Sequence, residues 1–352
     1  MANDLSALTA FVNEQRNRTD FWMDALFPGG SAGAFARAVG MVIPNVKENT
    51  FKLPLLNATV GIASGDNCSD DFDNGNDASI TQSTVTLKKG LIQDSICPHG
   101  ENWESYFTAL GMPAGQHYTS LGIWQPYMVG EIGRKVAKRL DINQWQGNQS
   151  GDSWTFDGWH DLLLAATLGT YNISSNPTGG YVGTSTPTSG GSAGTDAAGV
   201  YNIVEALVEA AMATQTVAGA DLAADLMSGN CFVVMNPLNR EYLRQNYQKR
   251  FGLAMPEIVP GLVGLQNNAF GAFNFPGYNL PVITQPWIPQ STIILSRRGN
   301  NVLAFDLESD QTKMDMWLAD DHDTIRWKYR FKLGVAWRAL NGSNMKVWGP
   351  TT

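Results

Sequence analysis

Residues that could do chemistry fall into three short clusters. Asp320, Asp321 and Asp323 surround His322. Paired carboxylates beside an imidazole suit general acid–base work, and in a chain with 11 tryptophans they would suit a carbohydrate-acting hydrolase. A polar turn leading into a long strand fits the same string better. Tryptophan serves sugar binding and subunit contact equally, so its abundance does not decide between them. Asp71, Asp73 and Asp77 resemble a calcium loop, which needs Gly at its sixth position and Glu at its twelfth. Counting from Asp71, those positions hold Asn76 and Gln82, and the segment is better taken as a solvated acidic loop. Cys97-Pro98-His99 hints at a metal, yet no second Cys or His lies at ligand spacing. The four histidines, His99, His117, His160 and His322, share no motif. P-loop, HExxH and dinucleotide fingerprints are missing. No residue is therefore assigned a catalytic, cofactor-binding or metal-binding role, and no cofactor is expected.

Length and charge bound the rest. At 352 residues the chain can bury a large core, as about two domains or one elaborate one. A net charge of -8 argues against binding that works by neutralising nucleic-acid phosphates. No apolar run approaches the ~20 residues of a membrane helix, and the first residues lack a signal-peptide core. The expectation is a soluble protein made in a cytoplasm. Cys68, Cys97 and Cys231 are too few and too scattered for a disulfide framework. Cys68 and Cys97 flank one arm and could meet across it, but free thiols are expected.

The elements that would position any site follow from periodicity. Pro126, Val129, Ile132, Val136 and Leu140 predict a helix with one apolar stripe, ended by Asp141, Asn143 and Gly147. A polar Gly-rich turn follows it and leads to Phe156-Asp157-Gly158. Residues 4–42 read as an N-terminal arm with helical pieces, the second starting at Ser31. Phe21 and Trp22 would be anchors on a neighbouring molecule. Residues 50–62 and 80–92 predict the two strands of a long arm with an acidic tip, and such a ribbon needs something to lean on. Between Arg139 and Arg240 there is no Lys or Arg, so this segment is expected to present one sign of charge. Within it, residues 174–195 are rich in Gly, Ser and Thr and predict a flexible surface loop.

Further along, Ile203, Val204, Leu207, Val208 and Ala211 form the buried face of a helix. Cys231 to Met235 is a continuous apolar run typical of a buried strand. Asn236-Pro237 ends that strand, and Leu238 to Phe251 is read as a helix rich in Arg, Gln and Lys. A turn and strand are expected over 277–284, and strands over 292–296 and 302–307, with a basic turn at 297–301. Finally Ile325, Trp327, Tyr329, Phe331 and Leu333 alternate with Arg326, Lys328, Arg330 and Lys332, which predicts a long strand with an apolar and a basic face.

In this order the elements resemble the major capsid proteins of tailed double-stranded DNA bacteriophages, of the Hong Kong 97-type (HK97-like) fold. The likeness covers about residues 49–348. It rests most on Ile142-Asn-Gln-Trp-Gln-Gly-Asn with Phe156-Asp-Gly, on Cys231 to Pro237, and on Asp323 to Trp337. The resemblance implies an α+β fold with an N-terminal arm (1–48) and an extended β-hairpin loop (49–98) lying over a neighbouring subunit. It implies a peripheral domain (99–205) with a spine helix at 125–140 and the loop 174–195 as an insertion. An axial domain (206–309), a return strand (310–335) and a C-terminal part of the axial domain (336–352) complete it.

By the same resemblance the protein is structural and not an enzyme. It would assemble with copies of itself into pentamers and hexamers of an icosahedral head shell. The shell would enclose double-stranded DNA without sequence-specific readout. The chain would sit in the virion after assembly in the host cytoplasm, with no membrane. Separate scaffolding, portal and decoration proteins are the further implied partners, scaffolding because the arm is short. Some members crosslink a loop Lys to a neighbour's Asn. Lys88 and Lys89 lie on the right arm, but no motif marks the Asn. The alternatives are an encapsulin-like compartment shell, disfavoured by the long hairpin and inserted loop, and the hydrolase above.

Overall fold

The computed structural model describes residues 32–59, 77–96, 133–151, 155–165, 199–213, 221–252, 273–306, 314–319, 324–340 and 344–349. In chain order these hold α1 (Ala32–Val39), β1 (Met41–Ile43), β2 (Thr50–Thr59), β3 (Asp77–Thr86) and β4 (Lys88–Ile96). Next come α2 (Gly133–Gln146), α3 (Trp159–Ala165), α4 (Val200–Met212), α5 (Asp221–Ser228), β5 (Cys231–Met235) and α6 (Pro237–Phe251). The last third is mostly strand: β6 (Phe273–Phe275), β7 (Leu280–Thr284), β8 (Ile293–Arg297), β9 (Asn301–Phe305), β10 (Met314–Ala319), β11 (Thr324–Trp337) and β12 (Met345–Trp348).

The predicted alternating strand is the axis of the first sheet. Leu333 pairs with both Phe305 of β9 and Lys88 of β4, so those two strands flank β11 on opposite edges. The same logic at Ile325 to Tyr329 sets β10 opposite β4, so β9 and β10 lie end to end along one edge. β1 adds to β9 in parallel, Met41 facing Val302. Trp327, Tyr329, Phe331, Leu333, Val335 and Trp337 are all buried on one face of β11. Gly90 stands opposite Phe331, and a Cβ there would lie 2.1 Å from the ring, so the glycine makes room for the aromatic side chain.

The second sheet, in the order β12-β8-β5-β7-β6, is buried on both faces. Phe232, Val234, Ile283, Ile294 and Val347 face the core shared with α1, α2 and β11. Cys231, Val233, Met235, Val282, Ile293 and Leu295 face α4, α5 and Leu243 of α6. That two-sided burial is why Cys231 to Met235 reads as an unbroken apolar run. Asn236 caps α6 by accepting from Leu238 N at 2.9 Å, and Gly252 ends it in the left-handed conformation.

Several expectations are corrected. The helix expected to stop at Leu140 continues to Gln146, because Trp145 is fully buried against Phe35 and Trp159. Tertiary burial there outweighs the poor helix propensity of Asp141 and Asn143. Residues 80–92 are not one strand, since the chain breaks at Leu87 between β3 and β4. Residues 32–43 are not free arm: Phe35, Ala36 and Val39 are core, and β1 lies in the first sheet. β9 pairs with β11, whereas β12 joins the sheet of β5 and β8. The pieces expected at 1–31 and the loop 174–195 lie outside the described residues.

Candidate functional site

The polar turn after α2 is held closed by backbone contacts. Gly158 N donates to Gly147 O at 2.7 Å, and Gly147 N to Asn143 O at 2.9 Å. A Cβ on Gly158 would lie 2.6 Å from the Trp145 carbonyl, and one on Gly147 2.2 Å from Phe156 O, so only glycine permits both approaches. Gln149 N donates to Asp157 Oδ1 at 2.7 Å, and Asn148 Nδ2 to Asp161 Oδ1 at 3.1 Å. The closed turn brings Trp145 and Trp159 to a 5.0 Å edge-on contact, with Phe35 and Phe232 completing the cluster. Trp159 Nε1 donates to Ala336 O at 3.1 Å, and Trp337 Nε1 donates to Trp159 O at 2.9 Å. This reciprocal pair ties α3 to β11.

A cavity of about 250 Å³ lies between this turn and the base of the β2–β3 ribbon, with Lys88, Gln149, Asp157 and Trp337 in its wall. Burial and the neighbouring Asp157 carboxylate push Asp161 up from the usual carboxylate range. Asp157 and Asp161 each accept a hydrogen bond from the turn, from Gln149 N and Asn148 Nδ2, and so brace it.

The remaining chemical candidates resolve as follows. The cluster around His322, the triplet's Asp71 and Asp73, His99, His117, Cys68 and Cys97 lie outside the described residues. Asp77 begins β3. His160 is half-buried with Nε2 3.2 Å from Thr292 Oγ1, and burial lowers its pKa. Cys231 is buried, its thiol pushed up to about 12 by desolvation, so it is structural and not nucleophilic. Among the described residues no three His, Cys, Asp or Glu side chains gather at metal-binding distance, and no helix is long and apolar enough to cross a membrane. The sequence reading passed over one nucleophile-elbow string, Gly190-Gly191-Ser192-Ala193-Gly194, hidden in Gly/Ser-rich sequence and also outside the described residues.

The surfaces are more informative. β2 and β3 pair along all ten residues and form a sheet of their own. Their base docks on the first sheet through Leu53, Val85 and Leu87, packed against Val302, Ala304 and Ala336. Gly334 lets the ribbon cross, since a Cβ there would lie 2.4 Å from Thr86 O. Lys332, expected on the basic face of β11, is buried and donates to the carbonyls of Val46 and Lys47 in the segment that leads into the ribbon. Arg326 and Arg330 do stay exposed. The expected one-signed acidic surface is also modified. Glu205 pairs with Arg250 at 2.9 Å, and Asp225 pairs with Arg297. Met227, 72% exposed, and Phe251 leave apolar surface on α5 and α6.

No protein-family model matches the sequence, and no curated protein matches it. Solved structures do match over nearly the whole length. The capsid of an empty GTA particle aligns with a TM-score of 0.51 and 14% identity, covering 92% of this chain and 97% of that one. The capsid of Myoviridae phage XM1 aligns with a TM-score of 0.51 and 11% identity, covering 91% of this chain and 92% of that one. The class is thereby defined: a mixed helix-and-sheet fold shared with phage capsid chains.

Proposed function

We propose that the protein is a major capsid protein of a tailed bacteriophage. Copies of it would form pentamers and hexamers of an icosahedral head shell around double-stranded DNA. The observation that carries this is the β2–β3 ribbon, a two-stranded sheet projecting from a body whose fold is shared end to end with capsid chains. A lone ribbon is marginal in water, so completion by a neighbouring copy supports the assembly reading. In HK97-like terms, α2 belongs to the spine helix of a peripheral domain, β11 is the return strand, and residues 49–98 are the extended loop. The second sheet with α4, α5 and α6 is the axial domain. Its exposed Met227 and Phe251 supply apolar contacts suited to a capsomer ring. The role is structural and non-enzymatic.

Assembly in the host cytoplasm, aided by scaffolding and portal proteins, completes the proposal. The test is electron microscopy and light scattering of the chain co-expressed with the genes that neighbour it. Closed shells or capsomer rings are expected. A chain that stays monomeric in every such co-expression would overturn the proposal.

A further inference from the structure

We propose that the cavity at the ribbon base is a binding site for a small zwitterion, its carboxylate end held by Lys88 and its ammonium end by Asp157. The inference does not depend on the shell reading, because a single chain carries every group involved. The cavity is built by two parts of the fold. Ser83 comes from β3 and Lys88 opens β4, whereas Gln149 and Asp157 belong to the polar turn. Lys88 pairs with Leu333 of β11, so the two side chains lie on one face of the sheet. That is the core face, which Phe331 and Val335 also share, and not the basic face of Arg326 and Arg330. Lys88 is thus a half-buried cation on the apolar side of the sheet.

Both ends of the cavity are short of countercharge. Among the described residues Lys88 makes no ion pair, and neither do Asp157 and Asp161. The two carboxylates have only the neutral donors Gln149 N and Asn148 Nδ2, and Asp157 helps to push Asp161 up. A cation beside Asp157 would relieve that repulsion. Ser83 Oγ is buried in the same wall without a hydrogen-bond partner, so the site also holds an unused polar group. Phe156, Leu162 and Val335 line the space with apolar surface. Opposite charges that do not meet, set around an apolar lining, fit an ammonium and a carboxylate joined by a short aliphatic chain. Phosphate would meet Lys88 but be repelled by Asp157, and a simple amine would leave Lys88 unanswered. At about 250 Å³ the cavity is smaller than the roughly 300–1,000 Å³ of pockets for drug-sized ligands, so the occupant is an ω-amino acid or a molecule of similar size. Bound there, it would tie the ribbon base to the turn.

The test is calorimetric titration of the full-length chain with 6-aminohexanoate, using hexanoate and hexylamine as singly charged controls. Saturable binding with a Kd of about 1 mM or tighter is expected for the zwitterion. Either control should bind about tenfold or more weakly, since each lacks one charge-assisted contact. Lys88→Gln is expected to erase the preference for 6-aminohexanoate over hexylamine, and Asp157→Asn the preference over hexanoate. Ser83→Val fills the cavity without removing a hydrogen bond, and it is expected to abolish binding while the urea midpoint is maintained. This variant keeps the proposal testable if Asp157→Asn opens the turn. Tryptic cleavage after Lys88 should also slow when 6-aminohexanoate is present. No saturable heat up to about 20 mM would overturn the proposal, being well above the expected Kd. Equal binding of hexylamine would overturn it by making the carboxylates alone the site. Binding unchanged in both Lys88→Gln and Ser83→Val would overturn it by placing the ligand elsewhere. None of these results bears on whether the chain forms shells, so the two proposals stand or fall separately.

Discussion

Gly158→Ala is the sharpest probe of the turn that joins α2 to α3. An alanine Cβ would lie 2.6 Å from the carbonyl carbon and oxygen of Trp145 and 2.8 Å from Gly147 N. All three are backbone atoms, so no side chain can swing aside. The turn must open, breaking the Gly158 N to Gly147 O bond. Overpacking of this kind costs roughly 1–3 kcal/mol, and the lost bond adds about 1 kcal/mol. Against this, removing a glycine from the unfolded chain contributes at most about 1 kcal/mol of stabilisation. The expected net loss is about 1–4 kcal/mol, from the sum of these terms. Gly151→Ala is the control, because its Cβ would meet Asn148 at an ordinary 3.7 Å. It should stay within ~0.5 kcal/mol of the parent. Urea unfolding followed by near-ultraviolet circular dichroism measures both, since the Trp145–Trp159 contact dominates the local aromatic environment. Equal midpoints for the two variants would refute the close approach and the account of the turn built on it.

Gly334→Ala should loosen the ribbon base by displacing Thr86 O, seen as faster tryptic cleavage after Lys47 and Lys52 while the sheets stay intact. Asn236→Ala removes the cap on Leu238 N and the 2.8 Å bond from Asn236 Nδ2 to Ile288 O. A loss of about 2 kcal/mol is expected in chemical denaturation, about 1 kcal/mol from each. His160 has its pKa lowered by burial, so below its ordinary value of 6.5 the unfolded chain takes up a proton that the folded chain resists. Stability should therefore fall as pH drops from about 6.5 toward the folded value, and His160→Gln should flatten that part of the profile. An unchanged slope would show that other groups set it.

Much of the fold was legible in the sequence, for physical reasons that also explain the failures. The alternation along β11 survives because each strand residue points to a fixed face, and Trp327 to Leu333 had only one core to enter. Cys231 to Met235 was legible because both of its faces are covered. Lys332 was misjudged because local pattern cannot reveal that a segment nearly three hundred residues earlier crosses above it and offers carbonyls. The end of α2 was misplaced for a similar reason: Asp141 and Asn143 signal a stop, but Trp145 has a distant cluster to fill. The break at Leu87 leaves no periodic trace, since it marks a change of partner and not of conformation. Lys88 was visible as a cation on the arm, but only the register shows that it shares the core face of the sheet with Leu333.

The pairing of Met41 with Val302 carries a consequence for synthesis. α1 and β1 leave the ribosome early, yet Phe35 is buried beside Phe232, and β1 finds its partner strand only when the last sixth of the chain is being made. Such distant pairing folds slowly and cannot be finished on a nascent chain. A chain interrupted before β9 would leave β1 without its partner strand and would lack Val302, Ala304 and Ala336, on which the ribbon docks. Under the proposed shell reading, the wiring of the body would thus withhold incomplete chains from assembly, since the ribbon's seat is made only with the last strands.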